Sequence, residues 1–258
     1  MARIYPLFSS SKGNSIYIGS KTEGILIDDG VSFAKLKNAM ELNGLSVDSI
    51  KAVFVTHEHS DHIKGLAVLT KKIKAPVFAQ ELTLDYLLKS GALNGEYREF
   101  SDGEEVCGMR IECFPTPHDA RESCGYKITF PDGRSAAVCT DLGHVTEEIV
   151  TALLGTHCVL LESNYDIEML RNGAYPYYLK MRIFGASGHL SNADSGNFAA
   201  KLVESGTEKI ILGHLSQENN RPEIAENTVV SCLGSFRRNA DYILSVAPAE
   251  TGGGFVTV

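Results

Sequence analysis

The chain has 258 residues, 43% of them hydrophobic and 22% charged, with a formal net charge of -8. This length suits one large domain or two small ones with a substantial core, and the composition is that of an ordinary globular protein, which sets disorder aside. The acidic balance speaks against a broad non-specific nucleic-acid surface, although a local basic groove or a metal site can still hold a polyanion.

Short apolar runs bounded by Gly, Asp or Pro predict strands over residues 4–8, 15–18, 25–27 and 50–55. Further strands are expected over 110–114, 126–130, 136–139, 158–161, 209–212 and 242–245. Between them, Phe33, Leu36 and Met40 share a helical face that Gly44 ends. A helix is expected to begin at Ile63. Ser191 and Asp194 form a capping-box-like start for a helix over 193–203, and Ile224, Val229, Leu233 and Phe236 mark another. The first half reads as strand-rich with few helices, and the second half alternates helix and strand. The pattern predicts sheets packed face to face with helices outside, an α/β (α+β) architecture in one domain over 1–258. No internal repeat or low-complexity tract interrupts it.

Six cysteines (Cys107, Cys113, Cys124, Cys139, Cys158 and Cys232) include no C-x-x-C pair, so reduced thiols in a cytoplasmic protein are expected. The start Met1-Ala2-Arg3-Ile4-Tyr5-Pro6 lacks the layout of a signal peptide, and no apolar stretch is long enough to span a membrane.

The strand over 50–55 runs straight into Thr56-His57-Glu58-His59-Ser60-Asp61-His62. Three imidazoles and a carboxylate within six residues suit a divalent metal, and clustered histidines beside an apolar strand have no packing reason to be there. In an extended loop His57 and His59 point to one side and can share an ion, while Asp61 and His62 reach a second. His118, Asp141 and His214 each leave a hydrophobic strand into a loop, where rigid strands place functional groups. Together they make a set of five His and two Asp, and the two oxygens of Asp141 allow it to bridge.

The H-x-H-x-D-H pattern followed by a His, an Asp and a His at strand ends resembles the metallo-β-lactamase superfamily over nearly the whole chain. The resemblance implies a four-layer αβ/βα sandwich of two mixed β-sheets flanked by helices, with metals at one edge. It implies that His57, His59 and His118 hold one ion, that Asp61, His62 and His214 hold the other, and that Asp141 is shared. β-Lactamases of that superfamily typically carry Cys where this chain has Asp141, and the flavin-linked di-iron branch has a Glu where it has His59. Three segments, Ser9 to Ser15, Glu162 to Tyr165 and Gly188 to Asn192, together with Gly213-His214-Leu215-Ser216, resemble the YycJ/WalJ group of cytoplasmic 5′→3′ DNA exonucleases. The first departs from that group by having Ser10 where a Gly is expected.

The resemblance implies a metal-dependent phosphodiesterase in which two divalent ions, zinc or else manganese or iron, bridge a hydroxide. Asp61 would orient that hydroxide, and His189 would serve the leaving oxygen, since Gly188 lets backbone come close to substrate. Asn14, Asn164, Ser191 and Asn192 are the candidate substrate contacts, and DNA or another phosphodiester is the expected substrate. Asp28 or Asp29 is placed to back a ligand histidine, with a plain turn carboxylate as the alternative. Lys180, Arg182, Arg237 and Arg238 are candidates for a DNA backbone against a reading as scattered surface charge. A small-molecule hydrolase acting on a cyclic phosphodiester or thioester, and a metal-binding regulatory protein without turnover, are the competing functions.

Overall fold

The computed structural model describes residues 3–250 and 254–258. One sheet is built from β1 (Arg3–Ser10), β2 (Gly13–Gly19), β3 (Gly24–Ile27), β4 (Ile50–Phe54), β5 (Val77–Ala79), β6 (Tyr97–Glu99) and β14 (Val256–Thr257), in the order β14-β1-β2-β3-β4-β5-β6. The other holds β7 (Glu104–Val106), β8 (Met109–Pro115), β9 (Cys124–Thr129), β10 (Ser135–Cys139), β11 (Cys158–Glu162), β12 (Lys209–Gly213) and β13 (Ile243–Val246), in the order β13-β12-β11-β10-β9-β8-β7. Both are mixed: β3 to β6 pair in parallel, as do β10 to β13, and the remaining pairs are antiparallel.

Three cores make four layers. Ile16, Ile18, Ile25, Ile27 and Phe54 of the first sheet meet Ile111, Tyr126, Ile128, Val138 and Leu160 of the second. The outer face of the first sheet is covered by α1 (Phe33–Leu42), α3 (Leu66–Lys72) and α4 (Glu81–Ser90), through Leu36, Leu69 and Leu87. The outer face of the second is covered by α5 (Glu147–Leu153), α8 (Asn192–Glu204) and α9 (Pro222–Cys232), through Leu153, Phe198 and Val229. Central strands such as β10 and β11 are buried along their whole length, which is why they read as unbroken apolar runs.

The inter-sheet core anchors the histidine-rich loop. Phe54, at the end of β4, stacks on Phe78 with ring centroids 4.9 Å apart and meets the edge of Tyr126 at 5.5 Å. The Tyr126 hydroxyl donates to the Val55 carbonyl at 2.9 Å. Truncating a buried aromatic of this kind costs roughly 3–5 kcal/mol, so the strand feeding the loop is held firmly.

The helix expected at Ile63 starts earlier: α2 (Ser60–Ile63) puts Asp61 and His62 on its own first turn. It stops at once, because the chain from Asp29 to Val31 crosses there. Gly65 N–H donates to the Asp29 carbonyl at 2.8 Å, and a Cβ on Gly65 would sit 2.0 Å from the Val31 carbonyl oxygen. The expectation of few helices in the first half also fails, since α1 to α4 all lie before β6. The second half adds α6 (Ile167–Asn172) and α7 (Tyr177–Phe184), which lead toward His189. Among the described residues no helix is long and apolar enough to cross a membrane.

Candidate metal centre

The site is assembled at one edge of the sandwich from the ends of strands. Asp28 follows β3, His57 lies just beyond β4, His118 follows β8, Asp141 follows β10, Glu162 closes β11 and His214 follows β12. Asp28, Asp141 and His214 take left-handed backbone conformations with φ of 59°, 60° and 55°. Such a conformation is disfavoured by roughly 1–2 kcal/mol for a residue with a Cβ, and it persists where surroundings fix it, commonly at functional sites.

A layer of hydrogen bonds sets each imidazole. Asp28 accepts from the Thr56 backbone N–H (2.8 Å), the Thr56 hydroxyl (2.8 Å) and His62 Nδ1 (2.8 Å). With its proton given to Asp28, the Thr56 oxygen accepts from His57 Nδ1 at 3.1 Å. His118 Nδ1 donates to the Gly188 carbonyl at 3.1 Å, and His214 Nδ1 donates to Glu162 at 2.7 Å. This network assigns the tautomers and leaves the Nε2 lone pairs of His57, His62, His118 and His214 free of those partners. His59 turns its Nδ1 to within 3.2 Å of His118 Nε2.

The ligand-type atoms of His57, His59 and His118 lie within 4.8 Å of one another, as do those of Asp61, His62 and His214 and those of His57, His62 and Asp141. The structure thus gathers all seven residues that the sequence singled out as ligands. A divalent cation fits them on two further observations. His57 Nε2, His214 Nε2 and Asp141 Oδ2 are buried with no hydrogen-bond partner, and each is an acceptor suited to a cation. The charges also call for one. Burial disfavours a charged His62, yet the carboxylates of Asp141, Asp28 and Asp61 outweigh it and lift its pKa to about 9. Burial likewise opposes an ionised Asp61, and His62 and His214 hold its carboxyl far below the usual range. A field that favours positive charge at His62 and His214 is one that a metal ion satisfies. His57 and His118 are the exceptions: burial, followed by the neighbouring His62, drives the His57 pKa well down, and burial also lowers that of His118, so each offers a neutral ring.

Glu162 opens the segment Glu162 to Tyr165 of the sequence, and the structure makes it central. It is wholly buried. Its Oε1 accepts from His189 Nδ1 (2.9 Å) and His214 Nδ1 (2.7 Å), and its Oε2 accepts from the backbone N–H of Leu142 (3.0 Å) and Leu190 (3.1 Å). Burial would raise its pKa, but His189 and His214 hold it well below the carboxylate range, so it stays ionised. The signal in the sequence was a lone acid closing a strand of apolar residues.

A cavity of about 330 Å³ opens over the centre, lined by Asp61, His118, Asp141, His189, His214 and Asn164 among others. Asn164 also donates to the His214 carbonyl at 2.8 Å. Asn14, Ser191 and Asn192, read as substrate contacts, are buried and do not line this cavity. Polar residues in tight loops here satisfy the frame. Asn14 Nδ2 sits 3.0 Å from His62 Nε2, Ser191 caps α8 by accepting from Asp194 N–H at 3.1 Å, and Asn192 joins Ser163 and Asn220. Of the four candidate basic residues, Arg182 lines the cavity, paired with Asp119, whereas Arg237 and Arg238 pair with Asp241 and Glu226 elsewhere. Asp28 is the aspartate that backs a histidine. Asp29 is buried, with neither carboxylate oxygen hydrogen-bonded.

Residues 24–215 match the family described as the Beta-lactamase superfamily domain. The chain is 35% identical over 237 residues to the exodeoxyribonuclease YycJ of Bacillus anthracis, covering 88% of this chain and 87% of that protein. It is 34% identical over 233 residues to the exodeoxyribonuclease WalJ of Streptococcus pneumoniae, covering 88% and 86%. Among solved structures, Zn(2+)-bound PqqB from Methylobacterium extorquens superposes with a TM-score of 0.75 at 15% identity over the whole of both chains, a likeness of fold.

Proposed function

We propose that this chain, which belongs to the metallo-β-lactamase superfamily and within it to the group of the YycJ and WalJ exodeoxyribonucleases, hydrolyses DNA from the 5′ end at a centre of two divalent ions. His57, His59 and His118 would hold one ion, Asp61, His62 and His214 the other, with Asp141 between them. Zinc is the first choice for so imidazole-rich a set, with manganese and iron as alternatives. When bound, such ions neutralise charge on a phosphoryl group and make water acidic enough to yield a nucleophile near neutral pH.

The observation that carries the reading is the fork at Glu162, which ties cavity-lining His189 to His214 among the proposed ligands. Because Nδ1 of His189 is committed to Glu162, the ring exchanges protons at Nε2. Its role is to protonate the oxygen that leaves phosphorus, while Glu162 balances the charge on the ring. Asn164 fixes the His214 loop and adds a donor at the cavity wall. Asp61, on the first turn of α2, accepts a proton-bearing partner at the centre as well as ligating.

His189→Ala is expected to keep its metal content and lose about 10²–10⁴-fold in turnover of 5′-phosphorylated duplex DNA, the range general acid catalysis supplies. Unchanged turnover would remove His189 from the reaction. A wild-type protein that ignores DNA and cleaves only small phosphodiesters or thioesters would replace the nuclease reading.

A further inference from the structure

Helix α7, sequence YYLKMRIF, buries none of its eight residues. Tyr177 and Tyr178 are 77% and 73% exposed, and Met181 and Phe184 continue the same stripe at i+4 and i+7 from Tyr177. The other side of the helix is not idle: Leu179, Arg182 and Ile183 line the cavity over the metal centre. Lys180 lies between, its ammonium bonded to the Arg171 carbonyl at 2.8 Å and not to a carboxylate. An exposed stripe of large rings on a short helix, interleaved with cations in a chain of net charge -8, needs an occupant.

We propose that α7 is a stacking platform, on which bases of the DNA strand entering the cavity lie against Tyr177 and Tyr178 while its phosphates run past Lys180. The inference rests on the nuclease reading and adds to it how the strand is held. A cavity of about 330 Å³ is small-ligand sized and suits the end of one strand. Terminal bases drawn toward it leave their partners, and the stacking they lose is replaced by rings that accept any base, as every base has a π-face. One feature favours nucleic acid over a protein partner. Leu179, Arg182 and Ile183 of this same short helix line the cavity that takes the scissile phosphate, so the strand that enters the cavity runs beside α7.

The test uses the full-length, metal-loaded protein and a nuclease-resistant phosphorothioate strand carrying 2-aminopurine near its 5′-phosphate. Tyr177→Ala and Tyr178→Ala should each weaken binding about ten-fold and relieve the quenching of 2-aminopurine, within the range seen for base–aromatic stacks. Tyr177→Phe and Tyr178→Phe should bind like wild type, because the ring and not the hydroxyl makes the contact. Binding by the alanine variants should keep the wild-type salt dependence, whereas Lys180→Ala should flatten the log–log slope by about 0.7. Alanine variants that bind like wild type, while wild type degrades duplex DNA, would overturn the platform and leave the nuclease reading standing. A wild-type protein that neither binds nor degrades DNA would remove both. Tyrosine variants that change the sedimentation of the protein and not its DNA affinity would make the stripe a protein interface, and the proposal would fall.

Discussion

Glu162→Gln tests the centre most sharply, because the substitution keeps shape and changes only charge and hydrogen-bond capacity. Glu162 accepts four hydrogen bonds, two from imidazoles at one oxygen and two from backbone N–H groups at the other. Glutamine must turn its NH₂ toward one of these pairs. If it faces Leu142 and Leu190, two buried N–H donors meet a donor, at about 1–3 kcal/mol each, or about 2–6 kcal/mol in sum. If it faces the imidazoles, His189 and His214 must accept at Nδ1, which moves their protons to Nε2 and removes His214 Nε2 as a ligand. Loss of such a supporting carboxylate typically lowers metal affinity or activity by about 10–100-fold. The assay is metal affinity by chelator competition, paired with urea unfolding of the metal-loaded protein. Either a weaker metal or a lower stability is required. Glu162→Gln with wild-type values in both would refute the orientation of the two rings by this carboxylate.

Three further outcomes are expected. A Cβ on Gly30 would lie 1.6 Å from the Asp61 backbone oxygen, so Gly30→Ala should push α2 aside and weaken metal binding about ten-fold or more, read by chelator competition. Burial, then the nearby Asp28, raises the Asp29 pKa from its ordinary 3.8 to about 8. The folded state therefore binds a proton that the unfolded chain releases, and this group's contribution to stability is complete at low pH and declines as pH rises toward 8. Asp29→Asn removes the decline and should gain on wild type progressively from pH 4 upward, by something on the order of 4 kcal/mol at pH 7, measured by urea unfolding across pH. Stripping both ions with chelator should lower Tm by roughly 10–20 °C if each is near 100-fold above its Kd, with recovery on adding zinc or manganese.

The ligand loop was legible because its histidines had no reason to follow an apolar strand except chemistry, and Asp141 and His214 were legible as polar residues breaking such strands. Glu162 ends its strand in the same way, yet its importance depends on contacts from His189, 27 positions away, and from His214, 52 away, which no local pattern encodes. Asn14, Ser191 and Asn192 are ambiguous for the opposite reason. Short polar side chains in loops are used both to touch ligands and to satisfy backbone, and only their place relative to the cavity, which Asn164 lines and these three do not, separates the two uses. Sheets packed face to face with helices outside were legible in the strand and helix pattern, whereas the four-layer order followed from the family resemblance and the helices of the first half were not foreseen. β5, β6 and β7 have three residues each, too few to carry a period, and α7 has no amphipathic contrast because neither of its sides is packed into a core.

The arrangement also explains why the centre sits where the fold is strained. The chain turns through positive φ at Asp28, Asp141 and His214, and hydrogen bonds fix the first and last of these turns. Asp28 N–H donates to Phe54 O at 2.9 Å, and His214 N–H donates to Ser9 Oγ at 2.8 Å. These bonds fix the backbone from which the imidazoles and carboxylates project. The cost is a cluster of buried acceptors and carboxylates that repel one another, with His57 Nε2, His214 Nε2 and Asp141 Oδ2 unpaired among them. A divalent cation resolves both problems at once, which makes metal binding part of the stability of this edge of the protein as well as of its chemistry.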